Sequence, residues 1–133
     1  MTISYAWRGT ITSGEIEALH AEGFGHEPLP DTDWEGRLRW HSLGWVCARS
    51  GEGALVGFVN VAWDGGAHAF ILDTVVAAGE RRSGVGVRLI ETAVREARAA
   101  GCEWLHVDFD DELRDFYLEG CGFRPTAAGL IAL

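Results

Sequence analysis

The sequence has few basic residues, few cysteines and no long apolar run. Lys and Arg total 11 against 20 Asp and Glu, which gives a formal net charge of −9. A nucleic-acid-binding domain needs a basic face to neutralise phosphates, so we expect no nucleic-acid partner. No stretch approaches the length of a membrane span, and the N-terminus lacks a basic segment followed by an apolar one. These absences predict no membrane partner and a cytoplasmic location.

The three cysteines, Cys47, Cys102 and Cys121, are scattered and form no CxxC pair. Their spacing therefore indicates neither a disulfide framework nor a zinc site, and we expect reduced thiols and no metal. The chain has 133 residues, of which 47% are hydrophobic, enough to fill one core. The prediction is a single domain over residues 1–133. Its acidic balance mildly favours cationic small molecules or peptides as partners.

Apolar periodicity predicts a first strand over residues 3–7 and then two helices. The first helix opens with a capping box at Thr12 and Glu15 and ends at Gly23. Thr32 and Glu35 repeat that spacing and predict a second helix through His41. The loop between the helices contains two prolines, which exclude regular structure.

Turn residues at 50–53 and 64–66 separate three segments that alternate like antiparallel strands, over residues 45–49, 54–63 and 68–76. An amphipathic helix follows over residues 84–100, with Val87, Ile90, Val94 and Ala97 on one face. A strand over residues 104–109 then implies parallel pairing through a right-handed crossover. Asp110 is the expected N-cap of a last helix, and residues 123–133 supply one more short strand. The fold class is α/β in α+β layers, with a mixed, mostly antiparallel central sheet and helices on both faces.

A basic glycine turn, Arg-Arg-Ser-Gly-Val-Gly at residues 81–86, joins the third of these strands to the amphipathic helix. Unpaired N–H groups and the helix dipole make such a turn suited to a phosphate. The dinucleotide-binding fingerprint needs a third glycine where Leu89 stands, and a P-loop needs Gly-Lys-Ser/Thr. Neither is present, so the phosphate belongs to another kind of ligand.

Two motifs resemble one family. Arg81, Gly84 and Gly86 form R-x-x-G-x-G, which is similar to the acyl-CoA pyrophosphate loop of the GNAT superfamily of acetyl-CoA-dependent N-acetyltransferases. Residues 116–123, FYLEGCGF, resemble the F-Y-x-x-x-G-F of that family, and the order of elements is also similar. The resemblance covers nearly the whole chain. It implies a GNAT-like acyl-CoA N-acyltransferase fold and acetyl-CoA as co-substrate. It further implies direct attack by a primary amine of a small molecule or peptide, through a tetrahedral intermediate, and a possible homodimer.

The same resemblance implies roles for individual residues. Tyr117 would be the acid that protonates the leaving thiolate, and the N–H of Val76 would polarise the thioester carbonyl. Asp110 stands where the family often has asparagine. The implied cofactor-binding residues are those of the glycine turn and of the strand before it: Val75, Val76, Arg81, Arg82, Ser83, Gly84, Val85, Gly86 and Val87.

The general base is harder to assign, because the family's position for it falls on the face of Phe70 and Leu72, which cannot take a proton. Asp73, His106 and Asp108 instead interrupt strands that should be apolar throughout. If the two strands are neighbours, these three residues form a polar cluster that supplies the base, directly or through water. The alternative is a buried Asp–His pair that only fixes the strands. His68 is the fallback base.

The acceptor is expected to lie against the helix pair of residues 12–41. Charged and aromatic side chains there could hold a cationic amine, namely Glu27, Asp31, Asp33, Trp34 and Trp40. The rival from another functional class is a non-catalytic acyl-CoA-binding regulatory module, and a nucleotide-binding Rossmann domain is a more distant alternative.

Overall fold

In the computed structural model, which describes residues 2–133, five strands form one open mixed sheet in the order β1-β2-β3-β4-β5. The first four strands pair antiparallel, and β4 pairs parallel with β5. The sheet confirms the predicted fold class and the predicted crossover. The strands are β1 (Ser4–Trp7), β2 (Ser42–Arg49), β3 (Leu55–Trp63), β4 (His68–Val76) and β5 (Trp104–His106).

Helices cover both faces of the sheet. On one face, α1 (Ser13–Phe24) and α2 (Trp34–His41) enclose a core that includes Phe58 and Val75. On the other face, α3 (Val85–Ala99) packs on Val59, Val61 and Ile71 through its buried side chains. Val87, which was expected on that buried helix face, is only partly buried, and Leu89 and Ala93 are fully buried instead. No helix among residues 2–133 is long and apolar enough to cross a membrane.

The capping box that was predicted for α1 is confirmed. The Thr12 hydroxyl accepts from the Glu15 N–H, and the Glu15 carboxylate accepts from the Thr12 N–H. The prediction for α2 was wrong by one residue: Asp33, not Thr32, is the N-cap and accepts from the Gly36 N–H. Glu35 serves another purpose, because its carboxylate accepts from the N–H of Ser13. The first turns of α1 and α2 are thereby tied together.

Glu15 also joins α1 to the sheet, and this link predicts how stability responds to acid. Hydrogen bonds from Arg49 are the main reason that the pKa of Glu15 falls to about 2. The carboxylate therefore contributes stability above pH 4.5, its ordinary pKa, and loses that contribution as the pH falls toward 2. Because both side chains are partly exposed, we expect Glu15→Gln to lower the free energy of unfolding by only about 1 kcal/mol at pH 7. Urea titrations from pH 7 to pH 2 should show this difference vanish.

Glu52→Gln, in the exposed β2–β3 turn, is the matched control, and it should behave like the wild type across the same pH range. A Glu15→Gln deficit that persists unchanged at pH 2 would show that lost packing, not lost charge, causes the destabilisation.

The C-terminal region departs furthest from prediction. β5 ends at His106 rather than Phe109. Asp110 makes no side-chain capping bond, and the single helix expected after it is a 3₁₀ turn, Asp111–Leu113, followed by a π-helix, Asp115–Gly120. The Phe123 N–H donates to the Tyr117 carbonyl. Residues 123–133 form no strand and are mostly exposed, so the predicted final strand was wrong.

Candidate functional site

The outer edge of β4 is open along its second half. β5 pairs with β4 only from His68 to Phe70, so no described strand covers β4 beyond that point. The Ala77 N–H donates to the Val56 carbonyl, toward β3. Since successive residues of a strand point their N–H groups to opposite edges, the Val76 N–H faces the open edge. Arg81 Nε donates to the Val76 carbonyl on that same side.

The N-terminus of α3 lies beside this open edge. Gly84 caps the helix with φ 87°, a left-handed conformation that favours glycine, and supplies no side-chain cap. The first turn holds no acidic residue, and the first helical hydrogen bond is donated by the Arg88 N–H. The N–H groups of residues 85–87 are therefore available to an anion, and the helix dipole favours negative charge there.

These two elements line a cavity of about 400 Å³. It brings together most of the residues that the sequence predicted for the cofactor. Two members of the set do not line it: Ser83 donates from its hydroxyl to the Glu80 carbonyl, and the side chain of Val85 is 1% exposed in the core. The cavity walls are Thr74, Val75, Val76, Glu80, Arg81, Arg82, Gly84, Gly86, Val87, Leu113, Phe116 and Tyr117.

Glycine is required at position 86 because the Phe116 ring approaches it closely. A Cβ at this position would stand 2.9 Å from Cε1 and 3.0 Å from Cζ of Phe116, nearer than side chains tolerate. Phe116 in turn stands edge-on to Tyr117, with ring centroids 4.8 Å apart. The glycine therefore lets the π-helix approach the first turn of α3, which places Tyr117 beside the anion site.

Tyr117 is 5% exposed and forms part of the cavity wall. Burial raises its pKa above the ordinary 10.0, the Thr74 hydroxyl lowers it, and the charges of Cys121 and Asp108 raise it. Its phenol consequently keeps its proton across the physiological range. Thr74 Oγ1 is buried and has no hydrogen-bond partner of ordinary geometry within residues 2–133. The cavity thus presents a phenol to a ligand, with the buried Thr74 hydroxyl beside it.

The predicted cluster of Asp73, His106 and Asp108 was wrong. His106 lies opposite Phe70 in the β4–β5 register, and its Nε2 is 2.8 Å from Nδ1 of His68. Asp73 lies beyond the paired part of β4, in a bulge where Asp73 and Thr74 both face Val59 of β3. Its φ of 57° turns it from the regular alternation. Asp108 follows the end of β5, on the side of Tyr117.

The bulge places Asp73 next to α1 instead. Asp73 Oδ1 is 3.3 Å from Nε2 of His20, and Nδ1 of His20 is 2.8 Å from Nε2 of His26. Nδ1 of His26 lies 2.8 Å from the Glu27 carbonyl. No sequence pattern indicates this row of hydrogen bonds, because it depends on a contact between α1 and β4.

The predicted wall for a cationic acceptor is only partly available. Trp34 is 2% exposed, and its Nε1 donates to the Glu17 carboxylate. Asp33 is occupied as the cap of α2. Glu27 and Asp31 are exposed, as is Trp40. Among residues 2–133 no group of three His, Cys, Asp or Glu side chains is arranged to hold a metal ion.

Residues 12–123 match the model of the acetyltransferase (GNAT) family. A probable glucosamine 6-phosphate N-acetyltransferase from Oryza sativa subsp. japonica is 39% identical over 59 residues, which are 44% of this chain and 35% of the rice protein. The chain thus matches about a third of the length of that relative.

Solved structures resemble the whole chain. A probable acetyltransferase of unknown function from meticillin-resistant Staphylococcus aureus superposes with a TM-score of 0.79 at 20% identity, covering 99% of this chain and 98% of that one. Glucosamine-6-phosphate N-acetyltransferase from Arabidopsis thaliana superposes with a TM-score of 0.76 at 18% identity, covering 98% of each chain. At these identities the likeness shows a common fold.

Proposed function

Because the chain belongs to the acetyltransferase (GNAT) family, we propose that it transfers an acetyl group from acetyl-CoA to a primary amine of a small molecule or peptide. The observation that carries this proposal is the cavity itself. There the open edge of β4, the uncapped start of α3 and the buried phenol of Tyr117 converge. Each of the three suits one part of a thioester donor.

The start of α3 suits the pyrophosphate of CoA. Backbone N–H groups of residues 85–87 would bind its oxygens, and Arg81 and Arg82 add positive charge at the cavity wall. Glu80 is a carboxylate in the same wall, so the arginines also offset its charge. The extended arm of the cofactor would lie along the open edge of β4 like an added strand. This position would bring the thioester carbonyl within reach of the Val76 N–H, which would stabilise its developing negative charge.

Tyr117 would serve as the general acid. When the amine attacks the carbonyl carbon, the C–S bond breaks and the CoA thiolate needs a proton. A buried phenol with a raised pKa keeps that proton until the thiolate forms. The buried hydroxyl of Thr74 beside it would hold the phenol in place.

Cys121 tests the assumption that the transfer is direct. Burial raises the pKa of its thiol to about 11, so roughly one molecule in 10⁴ carries the thiolate nucleophile at pH 7. We therefore expect Cys121→Ala to retain kcat within about threefold of wild type in a thiol-release assay. Accumulation of an acetylated protein that depends on Cys121 would contradict direct transfer.

The decisive experiment separates an enzyme from a non-catalytic acyl-CoA-binding module. Calorimetry first measures binding of CoA, and thiol release from acetyl-CoA is then followed with a panel of amines. The panel should include cationic polyamines and peptides, for which exposed Glu27 and Asp31 are suitable. It should also include glucosamine 6-phosphate, the substrate named for two of the relatives. Thiol release above background with any of these amines supports the proposal, whereas CoA binding without release favours the binding module.

A further inference from the structure

We infer that His20, held between Asp73 and His26, accepts the proton that the acceptor amine must lose. The inference rests on the proposed acetyl transfer and adds the general base that the family's usual strand position, occupied here by Phe70 and Leu72, cannot supply. Three observations lead to it: the direction of the hydrogen bonds, the position of His20 and its accessibility.

The hydrogen bonds that link Asp73, His20, His26 and the Glu27 carbonyl can be completed only with one extra proton. The Glu27 carbonyl can only accept, so Nδ1 of His26 must carry a proton and Nε2 of a neutral His26 must accept. Nδ1 of His20 is then the donor to His26. A neutral His20 would consequently turn a bare Nε2 toward the Asp73 carboxylate, and two acceptors would face each other. This row of hydrogen bonds therefore has two states, one with and one without a proton between His20 Nε2 and Asp73 Oδ1. The state without that proton is a base.

Close packing brings the end of α1 that carries His20 against β4, the strand that forms part of the cavity wall. A Cβ on Gly23 would stand 2.2 Å from Cγ2 of Val75, so glycine is needed for α1 to lie this close to β4. The Glu22 carboxylate accepts from the Ala78 N–H and anchors the same end of α1. Asp73 immediately precedes Thr74, a residue of the cavity wall. The His20–Asp73 pair therefore lies one residue before the cavity wall along β4, and an acceptor amine placed there would approach the thioester from the side of α1.

The pair is fixed but open to a substrate. The His20 ring stacks on Phe24, with centroids 4.4 Å apart, and lies 5.2 Å from Trp34. The side chains of His20 and Asp73 are nevertheless 19% and 25% exposed. The bulge that turns Asp73 toward His20 gives it a φ of 57°, which is unfavourable for a residue with a Cβ. An ordinary strand residue would not need that conformation.

The nitrogen of the acceptor loses two protons in each turnover. The amine arrives as an ammonium ion and gives one proton to His20 Nε2, which frees its lone pair. The N–C bond forms and the C–S bond breaks, Tyr117 protonates the thiolate, and the second proton of the nitrogen returns to Tyr117. His20 then releases its proton to water by way of His26, whose side chain is 34% exposed. The net change is one ammonium and one thioester converted to an amide, a thiol and a proton.

The test is the pH dependence of kcat/KM for His20→Gln, with Asp73→Asn as the second variant. The charged or titratable groups around His20 are Asp73 on β4 and His26 in the loop, with Glu17 3.9 Å from His26. In wild type, kcat/KM should fall on the acid side as the base is protonated. His20→Gln should lower it about 100-fold at pH 7 and remove that acid limb, while the Kd for CoA stays within about twofold.

Asp73→Asn has a different expected signature. The amide can donate to His20 Nε2, which completes the hydrogen bonds without the extra proton. His20 loses its anionic partner, so kcat/KM should fall and the acid limb should move to lower pH. If the role of Asp73 were only structural, Asp73→Asn would instead weaken CoA binding or lower the melting temperature, and the acid limb of kcat/KM would not move.

His41 is an exposed histidine at the end of α2, so His41→Gln is the matched control. Its kcat/KM should follow the wild-type pH profile. An unchanged acid limb in both His20→Gln and Asp73→Asn overturns the inference and leaves the proposed transfer standing. Loss of the limb in His106→Gln alone would overturn it in favour of the His68–His106 pair. Wild-type protein that releases no thiol with any amine overturns the proposed function itself.

Discussion

Tyr117→Phe should lower kcat by about 100-fold or more while the Kd for CoA changes less than about twofold. Phenylalanine keeps the ring contacts, whose centroids lie 5.1 Å from Phe109, 4.8 Å from Phe116 and 5.8 Å from Phe123. Only the proton donor is removed. The leaving thiolate must then depart without its acid, so the loss appears in the chemical step. Thiol release under saturating acetyl-CoA measures kcat, and calorimetry measures binding.

The pH profile of the wild type adds a second check on this residue. Since burial raises the pKa of Tyr117 above 10.0, the phenol remains protonated at pH 9, and activity should not fall there for want of the acid. Tyr5 is the only other tyrosine of the chain, and it lies on β1 beneath the Arg88 guanidinium. Tyr5→Phe should therefore leave kcat unchanged. Activity of Tyr117→Phe within threefold of wild type would contradict the acid role.

The parts of the fold that local patterns specify were predictable. The bounds of β4 match the prediction, and the α1 capping box needs only residues three apart. The C-terminal part was not, because a π-helix replaces the regular bonds with i→i+5 ones, such as that from the Cys121 N–H to the Phe116 carbonyl. No apolar periodicity distinguishes that pattern from an α-helix.

The candidate site also combines features that local patterns specify with features that distant contacts create. The residues expected to bind acetyl-CoA come from two contiguous motifs, and most of them line one cavity. The base proposed here depends on a contact between Asp73 and His20, which are 53 residues apart. It also depends on a bulge in the pairing of β4 with β3, beyond the part of β4 that pairs with β5. Alternation along β4 could not reveal that shift, and it led to the wrong cluster with His106.

Gly86→Val should weaken CoA binding by about 10- to 100-fold, roughly 1.4–2.8 kcal/mol. Even a single Cβ would press on Phe116, and its nearest other neighbour is Cγ2 of Val76 at 3.8 Å. The branched side chain would therefore enter the space between two cavity walls, beside the N–H groups of the first turn of α3. Because Phe116 is displaced against Tyr117, kcat should fall as well.

Gly14 offers a closely matched control for this substitution. It is the second residue of α1, as Gly86 is of α3, and a Cβ there would meet nothing within 4 Å. Gly14→Val should thus bind CoA like wild type and show the intrinsic effect of valine in a first helical turn. If both variants bind CoA equally well, the anion does not lie against the start of α3. If Gly86→Val loses kcat but keeps its affinity, the glycine serves only to seat Phe116 and Tyr117. Calorimetry with CoA and thiol release under saturating acetyl-CoA distinguish these results. Calorimetry reports binding at the first turn of α3, and thiol release reports the chemical step that needs Tyr117.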